Sequence, residues 1–471
     1  MKDVLYNISM RKLLLFSILF LAAVLLIFRI NELMPFIGDQ GWFYLAARDV
    51  VFGKSYPLVG ITASHLWLHQ GAYWTYILVF MLWLFHFEPL SGAYMTIVLG
   101  VISVYLIYLV GKLYFSENVG TIASFLYATS PLVIINARTP YHTSPIPFFT
   151  LLFLLALLKW VKGNRYYFSI CIFLLAVLYN FELATTTLGI SFFIVLFYGI
   201  WKKTSWIKIV RDKKVILLSI IAWFVPMSPM LLYDIHHGFP QTLKFTAWII
   251  YHILLIFGFP SIHTITESTG WSEVFAFALQ QYQMLIFAMS GIIACIILIT
   301  TFGFFYYRFY QTIKHKKYHI GMILVGVMNA LLILGYLANK TTSGAYVPVI
   351  FPFILLLTAY VVDKFKRRYF FITILLLIAI GILNIYSLLK NNYFEYITYA
   401  QRLHIAKIVT QEANGRDYNI KAKGPGSWFP NFDLNYDYLT WWLGHGPSDK
   451  PEKLIFFIGE DHKGIHLSKR D

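Results

Sequence analysis

Residues 73–87 read Tyr-Trp-Thr-Tyr-Ile-Leu-Val-Phe-Met-Leu-Trp-Leu-Phe-His-Phe, an apolar run with no Lys, Arg, Asp or Glu. How this run is read decides the fold, because it sets the side of a membrane on which every later segment lies. A helix needs about twenty apolar residues to cross the hydrocarbon core. This run is shorter, and by itself suits either a steep crossing or a helix lying in the interface.

Outward from it, eleven further candidates are plain: roughly 12–30, 92–111, 119–136, 146–161, 166–180, 183–201, 215–233, 283–306, 319–338, 346–362 and 370–389. Basic residues collect on the cytoplasmic side of membrane proteins, and this rule settles the ambiguous run. If 73–87 does not cross, 21 Lys and Arg fall on the inner side, against six outside before the tail. If it does cross, all but the first three inner ones move outside. The first arrangement is therefore expected. It has eleven spans, a cytoplasmic N-terminus, and residues 390–471 outside.

Composition points the same way. Hydrophobic residues make up 59% of the 471, aromatics 19% and charged residues only 13%. A soluble domain cannot hide so much apolar surface behind so few charges. The lipid bilayer is the expected surrounding. The net charge of +16 marks orientation and contact with anionic lipid, and nucleic-acid binding is not expected. Cys171 and Cys295 lie inside apolar runs, so neither a disulfide scaffold nor a cysteine metal site is expected. Lys2, Arg11 and Lys12 precede the apolar run 13–28, which lacks a small-residue cleavage site and reads as a retained first span.

The expected architecture is thus an all-α polytopic membrane protein. Residues 1–389 form the transmembrane domain, with outer loops 31–91 and 234–282, and residues 390–471 form an extracytoplasmic cap. In the cap, Ile397, Leu403, Ile405, Ile408 and Val409 suggest a helix ending near Asn414-Gly415. A short strand at 418–422 and an apolar run at 454–458 make the cap α/β. Its aromatic stretches Trp428-Phe429-Pro430-Asn431-Phe432 and Tyr436 to Trp442 suit either an acceptor glycan or docking onto the membrane.

The first outer loop reads Gly38-Asp39-Gln40-Gly41-Trp42-Phe43-Tyr44-Leu45-Ala46-Ala47-Arg48-Asp49. From Trp42 the apolar positions Trp42, Leu45, Ala46 and Val50 recur at helical spacing, which predicts an amphipathic surface helix with Asp39 just before it. Asp39 then either caps that helix or acts on a ligand at the membrane surface.

The order of these motifs resembles the polytopic glycosyltransferases of the protein-mannosyltransferase type, family 39, which have the GT-C fold. The resemblance rests on Gly38-Asp39-Gln40-Gly41, Ala47-Arg48, Gly53-Lys54 and Gly71-Ala72-Tyr73-Trp74-Thr75-Tyr76. It continues through Leu126 to Pro131, Arg138-Thr139-Pro140, Pro145 to Phe149 and Tyr233 to Phe239, and covers roughly residues 1–240. It implies a sugar donor linked to a polyprenyl phosphate, a protein, lipid or glycan acceptor, and 73–87 as a juxtamembrane helix. By the same resemblance Asp39 is the general base, in a single, inverting displacement. Many relatives have Asp-Glu where this chain has Asp39-Gln40, and an Asp where it has Thr143 beside His142. With that acid missing, a divalent metal is possible but disfavoured, and no metal ligands are assigned.

Arg138 and His142 are candidates for the donor phosphate, because a guanidinium matches phosphate oxygens; Lys340 is another. The alternative roles for Arg138 and Lys340 are anchoring and snorkelling at the headgroups. Gln40, His69, Glu182, Asp234, His236 and His237 are placed as acceptor-lining or supporting residues, with His65 and Trp67 as loop partners of His69. A carboxylate at the depth of Glu182 needs a partner or a cavity, so it either orients a catalytic group or caps the next helix. Asn339-Lys340-Thr341 is also a glycosylation sequon. The rival functions are a transporter or flippase of lipid-linked sugars, and a ligase or polymerase of lipid-linked glycans. The spans carry almost no charge inside and the two halves do not repeat, which favours chemistry in the outer loops over a transport path.

Overall fold

The computed structural model describes residues 2–62, 68–208, 212–256, 270–315 and 319–471; His65 and Trp67 lie outside these. Among the described residues, eight helical segments are long and apolar enough to cross a membrane. They run within Met10–Ile27, Ser91–Tyr114, Leu183–Trp201, Lys213–His237, Gly291–Lys314, Ile320–Ala338, Gly344–Lys366 and Phe370–Lys390. A ninth is the bent pair Glu117–Thr129 and Pro131–Arg138. Two shorter apolar helices, Ile146–Val161 and Tyr166–Phe181, occupy the remaining stretches read as spans. The chain is a multi-pass integral membrane protein.

Two of the expected spans differ in form. The 119–136 stretch is bent by 63°. Pro131 has no N–H to give and sits at the start of the second half, where the Ser130 hydroxyl accepts from the Val133 amide instead. The stretch expected at 283–306 is not continuous: one helix, Trp271–Ile286, ends there, and Gly291–Lys314 begins after Ser290 caps it. Phe287, Ala288 and Met289 keep the apolar count high through the break, so hydropathy alone does not see it. The loop expected at 234–282 is also largely helical, through Pro240–Ile256 and Trp271–Ile286.

The run that decided the topology is the helix Tyr73–Leu84, of 12 residues. At 1.5 Å per residue it is about 18 Å long, too short to cross a core of about 30 Å. It packs against the helix Gly38–Val51 and the head of Ser91–Tyr114. At the centre of the bundle lies the Gly344–Lys366 segment, whose apolar 18-residue window is 89% buried. From residue 351 to 362 it carries no charge, as a helix surrounded by others must. The outer helices turn aliphatic faces such as Ile292, Ile296 and Ile299 away from the protein.

After Phe370–Lys390 the composition changes and so does the architecture. Helix Tyr399–Ala413 starts with a Thr398–Gln401 capping box and ends at Asn414 in the left-handed region. Strand Tyr418–Ala422 pairs in parallel with Leu454–Asp461, which turns back antiparallel into Gly464–Arg470. These elements have their own small core, including Val409, Tyr418, Ile420, Phe456 and Ile458. The α/β expectation is met. The third strand and the helix Leu434–Trp442 are additions, because a polar edge strand and a nine-residue helix give weak patterns.

The Gly38–Val51 helix departs from its expected form in two ways. Asp39 lies inside its first turn; the capping position is Ile37, whose amide donates to the Gln40 Oε1 at 2.8 Å. Its buried stripe is Gln40, Phe43, Tyr44, Ala47 and Val50, one register away from the stripe read on Trp42. The cause is Leu434–Trp442, which lies across it. A β-carbon on Gly38 would fall 1.7 Å from the Asn431 carbonyl oxygen, and one on Gly41 would fall 2.2 Å from the Asn435 nitrogen. Two glycines thus admit the tail backbone. The cap aromatics serve this docking: Tyr438 donates to the Phe87 carbonyl, and Trp441 packs on Phe52, Phe87 and the Arg48 guanidinium. Gly41→Ala should force the tail off this helix and destabilise the protein by about 1–3 kcal/mol, the usual range for overpacking. A lowered melting temperature in detergent and faster proteolysis after residue 390 would show it.

Asp437, partly buried beside this interface, is pushed up to about 7, first by desolvation and then by Asp433, with Arg48 opposing. The folded chain then keeps a proton that the unfolded chain releases near pH 4. Stability should fall as pH rises from about 4 to about 7 and stay lower above. Asp437→Asn should raise the melting temperature at pH 8 and remove this slope, as thermal melts across pH would record.

Candidate active site

Asp39 enters the site from the first turn of Gly38–Val51 and remains partly exposed. Two neutral donors hold its carboxylate. The Tyr141 hydroxyl donates to Oδ2 at 3.1 Å, and the Asn431 Nδ2 donates to Oδ1 at 3.1 Å. Each carboxylate oxygen has a second lone pair left for another donor. Burial pushes the Tyr141 phenol well above its usual range, with Asp39 and Glu182 adding to the effect. Tyr141 therefore stays protonated and can only donate towards Asp39 at neutral pH.

Tyr141 belongs to the turn between Pro131–Arg138 and Ile146–Val161, and the turn is fastened at several points. Ser144 Oγ donates to the Thr139 carbonyl at 2.7 Å and Asn136 Nδ2 donates to the Ser144 carbonyl at 3.3 Å. The next residue, His142, is buried. Its Nε2 lies 3.2 Å from the Glu182 Oε2, and Gln70 Nε2 donates to Glu182 Oε1 at 3.0 Å. Glu182 closes the end of Tyr166–Phe181, so three distant segments meet on one carboxylate. The His142 ring also packs on Tyr141, with centroids 4.1 Å apart, and on Phe43, at 5.5 Å. Phe43 is one turn beyond Asp39 on the same helix. The His142–Glu182 contact thus anchors the turn that delivers Tyr141 to Asp39.

The other residues singled out from the sequence have varied settings. Gln40 is buried and closes the helix start. Arg138 is buried, and its Nη1 donates to the carbonyls of Leu25, Leu26 and Phe28 at 3.2, 3.0 and 2.8 Å. These are carbonyls at the end of the first helix, which have no partners further along it. Its guanidinium lies 4.0 Å from the Tyr393 ring centroid, while Nε and Nη2 have no protein hydrogen bond. Asp234 is buried, with both oxygens taken: Oδ1 by the Gln241 amide, Oδ2 by the Thr242 amide and hydroxyl. It fixes the start of Pro240–Ile256. His236 and His237 are exposed, and the His237 ring stacks on Tyr233. His69 contacts the Gly60 carbonyl through Nδ1, and burial lowers its proton affinity. Lys340 ends Ile320–Ala338 in a left-handed conformation, its ammonium over the Trp271 ring.

The structure therefore brings Asp39, His142 and Glu182 into one neighbourhood and puts Asp234, His236, His237 and Lys340 on other elements. The reading of the sequence did not single out Tyr141, Gln70 or Asn431. Tyr141 had a weak signal, its place beside His142; Asn431 had none. Among the described residues, no three His, Cys, Asp or Glu side chains gather as metal ligands would. Asp39 has Tyr141 and Asn431 as its neighbours, and Glu182 is held by His142 and Gln70. Glu182→Ala should leave His142 and Gln70 without a buried partner, at about 1–3 kcal/mol. Its melting temperature should fall more than that of Glu182→Gln, which retains an acceptor.

Residues 70–233 match the family model described as dolichyl-phosphate-mannose-protein mannosyltransferase. That segment contains Gln70, Arg138, Tyr141, His142 and Glu182, and begins after Asp39. No curated protein sequence matches the chain significantly. The fold is similar to that of ArnT from Cupriavidus metallidurans, solved bound to undecaprenyl phosphate. The TM-score is 0.61 at 10% identity, over 97% of this chain and 93% of that one. It is also similar to the Archaeoglobus fulgidus oligosaccharyltransferase AglB, solved with an inhibitory peptide and a dolichol-phosphate. There the TM-score is 0.56 at 12% identity, over 96% of this chain and 70% of that one. The architecture is the GT-C fold expected from the first-loop motifs.

Proposed function

We propose that the protein is an integral membrane glycosyltransferase. It moves a sugar from a polyprenyl-phosphate donor to an acceptor on the extracytoplasmic face, with Asp39 as general base. The observation that carries the proposal is Asp39 itself, a partly exposed carboxylate held in place by two neutral donors, Tyr141 and Asn431. A cationic partner in either position would neutralise the carboxylate and make it a poorer base. Tyr141 and Asn431 orient it without adding charge.

In the reaction, Asp39 takes the proton of the acceptor hydroxyl as that oxygen forms a bond to the anomeric carbon. The bond from that carbon to the phosphate oxygen breaks, and the polyprenyl phosphate leaves with its electron pair. One displacement inverts the anomeric centre, and no second carboxylate nucleophile is needed. Arg138 Nε and Nη2 and His142 Nδ1 are buried and lack protein partners, which supports a role in holding the phosphate. Lys340 is a further candidate. A divalent metal is not part of this proposal.

The lipid-bound donor is supported by the undecaprenyl phosphate in ArnT and the dolichol-phosphate in AglB. It also suits an apolar cavity of about 550 Å³ among the late helices, lined by Leu279, Tyr282, Phe302, Tyr336 and Ile350. The asymmetry of basic residues supports a cytoplasmic N-terminus and an outer C-terminus, and the plasma membrane is the proposed location. Residues 1–389 would then be the transferase domain and 390–471 its outer cap.

The test is transfer of label from polyprenyl-phosphate monosaccharides to native membrane acceptors by purified protein. General-base catalysis contributes about 10²–10⁴-fold, so Asp39→Asn should reduce turnover by at least that range at unchanged expression. Near-normal transfer by this variant would remove Asp39 from the chemistry. Movement of intact donor across vesicles without transfer would indicate a flippase instead.

A further inference from the structure

We propose that Asn431, delivered by the C-terminal segment, is a positioning residue for the Asp39 carboxylate, so that the catalytic site is completed only when this segment is docked. The proposal rests on the reading of Asp39 as the base. Asn431 stands 392 residues away from Asp39 in the chain, yet its amide is within hydrogen-bond distance of Oδ1. Tyr141 holds the other oxygen. With one donor, a carboxylate can still turn about its terminal torsion, which is broad. With a donor on each oxygen from opposite parts of the chain, its plane is fixed, and so is the direction of its remaining lone pairs.

The delivery of Asn431 is built into the backbone. Its carbonyl oxygen would sit 1.7 Å from a β-carbon at Gly38, so only a glycine beside Asp39 lets the chain pass this close. Four residues on, Asn435 is buried and its Nδ2 donates to the Phe36 carbonyl at 3.0 Å. This pins the segment to the turn just before Asp39. On the other side the chain turns through Gly424 and Gly426, both at positive φ, before Trp428 and Pro430. The amide chemistry of Asn431 also matters. It donates without adding charge, whereas an Asp in its place would set two carboxylates against each other and a Lys would neutralise the base.

The experiment compares Asn431→Ala, Asn431→Asp and Asn431→Gln with Asp39→Asn, in the full-length protein. The readouts are transfer from labelled polyprenyl-phosphate mannose and other monosaccharides to native membranes, donor KM, and melting temperature. Loss of one hydrogen bond to a charged group predicts a fall in kcat of about 10- to 100-fold for Asn431→Ala, with donor KM and melting temperature little changed. Asn431→Asp should fall below Asn431→Ala, and Asn431→Gln should recover part of the activity. Adding Asn431→Ala to Asp39→Asn should change nothing further, because the group it positions is gone. Wild-type kcat in Asn431→Ala, while Asp39→Asn is inactive, would overturn this proposal and leave the base assignment standing. Normal transfer by Asp39→Asn would overturn the base assignment itself. Equal losses in Asn431→Ala, Asn431→Asp and Asn431→Gln, together with a lowered melting temperature, would make Asn431 a packing residue only.

Discussion

Inside a bilayer no water is present to satisfy a peptide group, so the backbone must pair with itself or with a side chain kept for that purpose. Much of the observed architecture answers this constraint. The spanning helices pair internally over most of their length, with one span broken at Pro131 and another carrying Pro226 and Pro229 inside it. Where the first helix stops, Arg138 covers its last carbonyls, and Tyr393 from the far end of the chain covers one of the same groups. Where Pro131 breaks a helix, the Ser130 hydroxyl takes over the orphaned amide. The turn that follows Arg138 is thereby held against the first helix, and that turn carries Tyr141 and His142.

The site is assembled from groups fixed in this way. Asp39 comes from the first loop, Tyr141 and His142 from the second, Gln70 from the short strand His69–Gly71, Glu182 from a helix end and Asn431 from the tail. Arg138 divides its guanidinium: Nη1 covers the end of a helix, while Nε and Nη2 have no protein hydrogen bond.

The spans were legible because hydropathy is additive along the chain, and a bilayer reads it segment by segment. Asp39, His142 and Glu182 were legible because ionisable side chains are rare in such a chain and conspicuous beside apolar runs. The helix break at 287–290 was not, since Phe287, Ala288 and Met289 are as apolar as a helix interior. The register of Gly38–Val51 was misread for a related reason. Its buried stripe is set by the helix lying across it, and periodicity in the segment cannot report a partner some four hundred residues away.

The sequence by itself thus determined that the chain spans a membrane many times and that an α/β segment follows the last span. These follow from local quantities: length, hydropathy, charge and capping chemistry. Only the tertiary structure decided that Gly38 and Gly41 are the floor on which the tail rests, that Asp234 fixes a helix start, and that Asn431 meets Asp39. The physical reason is that hydrogen bonds and close backbone approaches act over about 3 Å. Which groups come that close is fixed by the packing of the whole chain, and no segment carries that information alone.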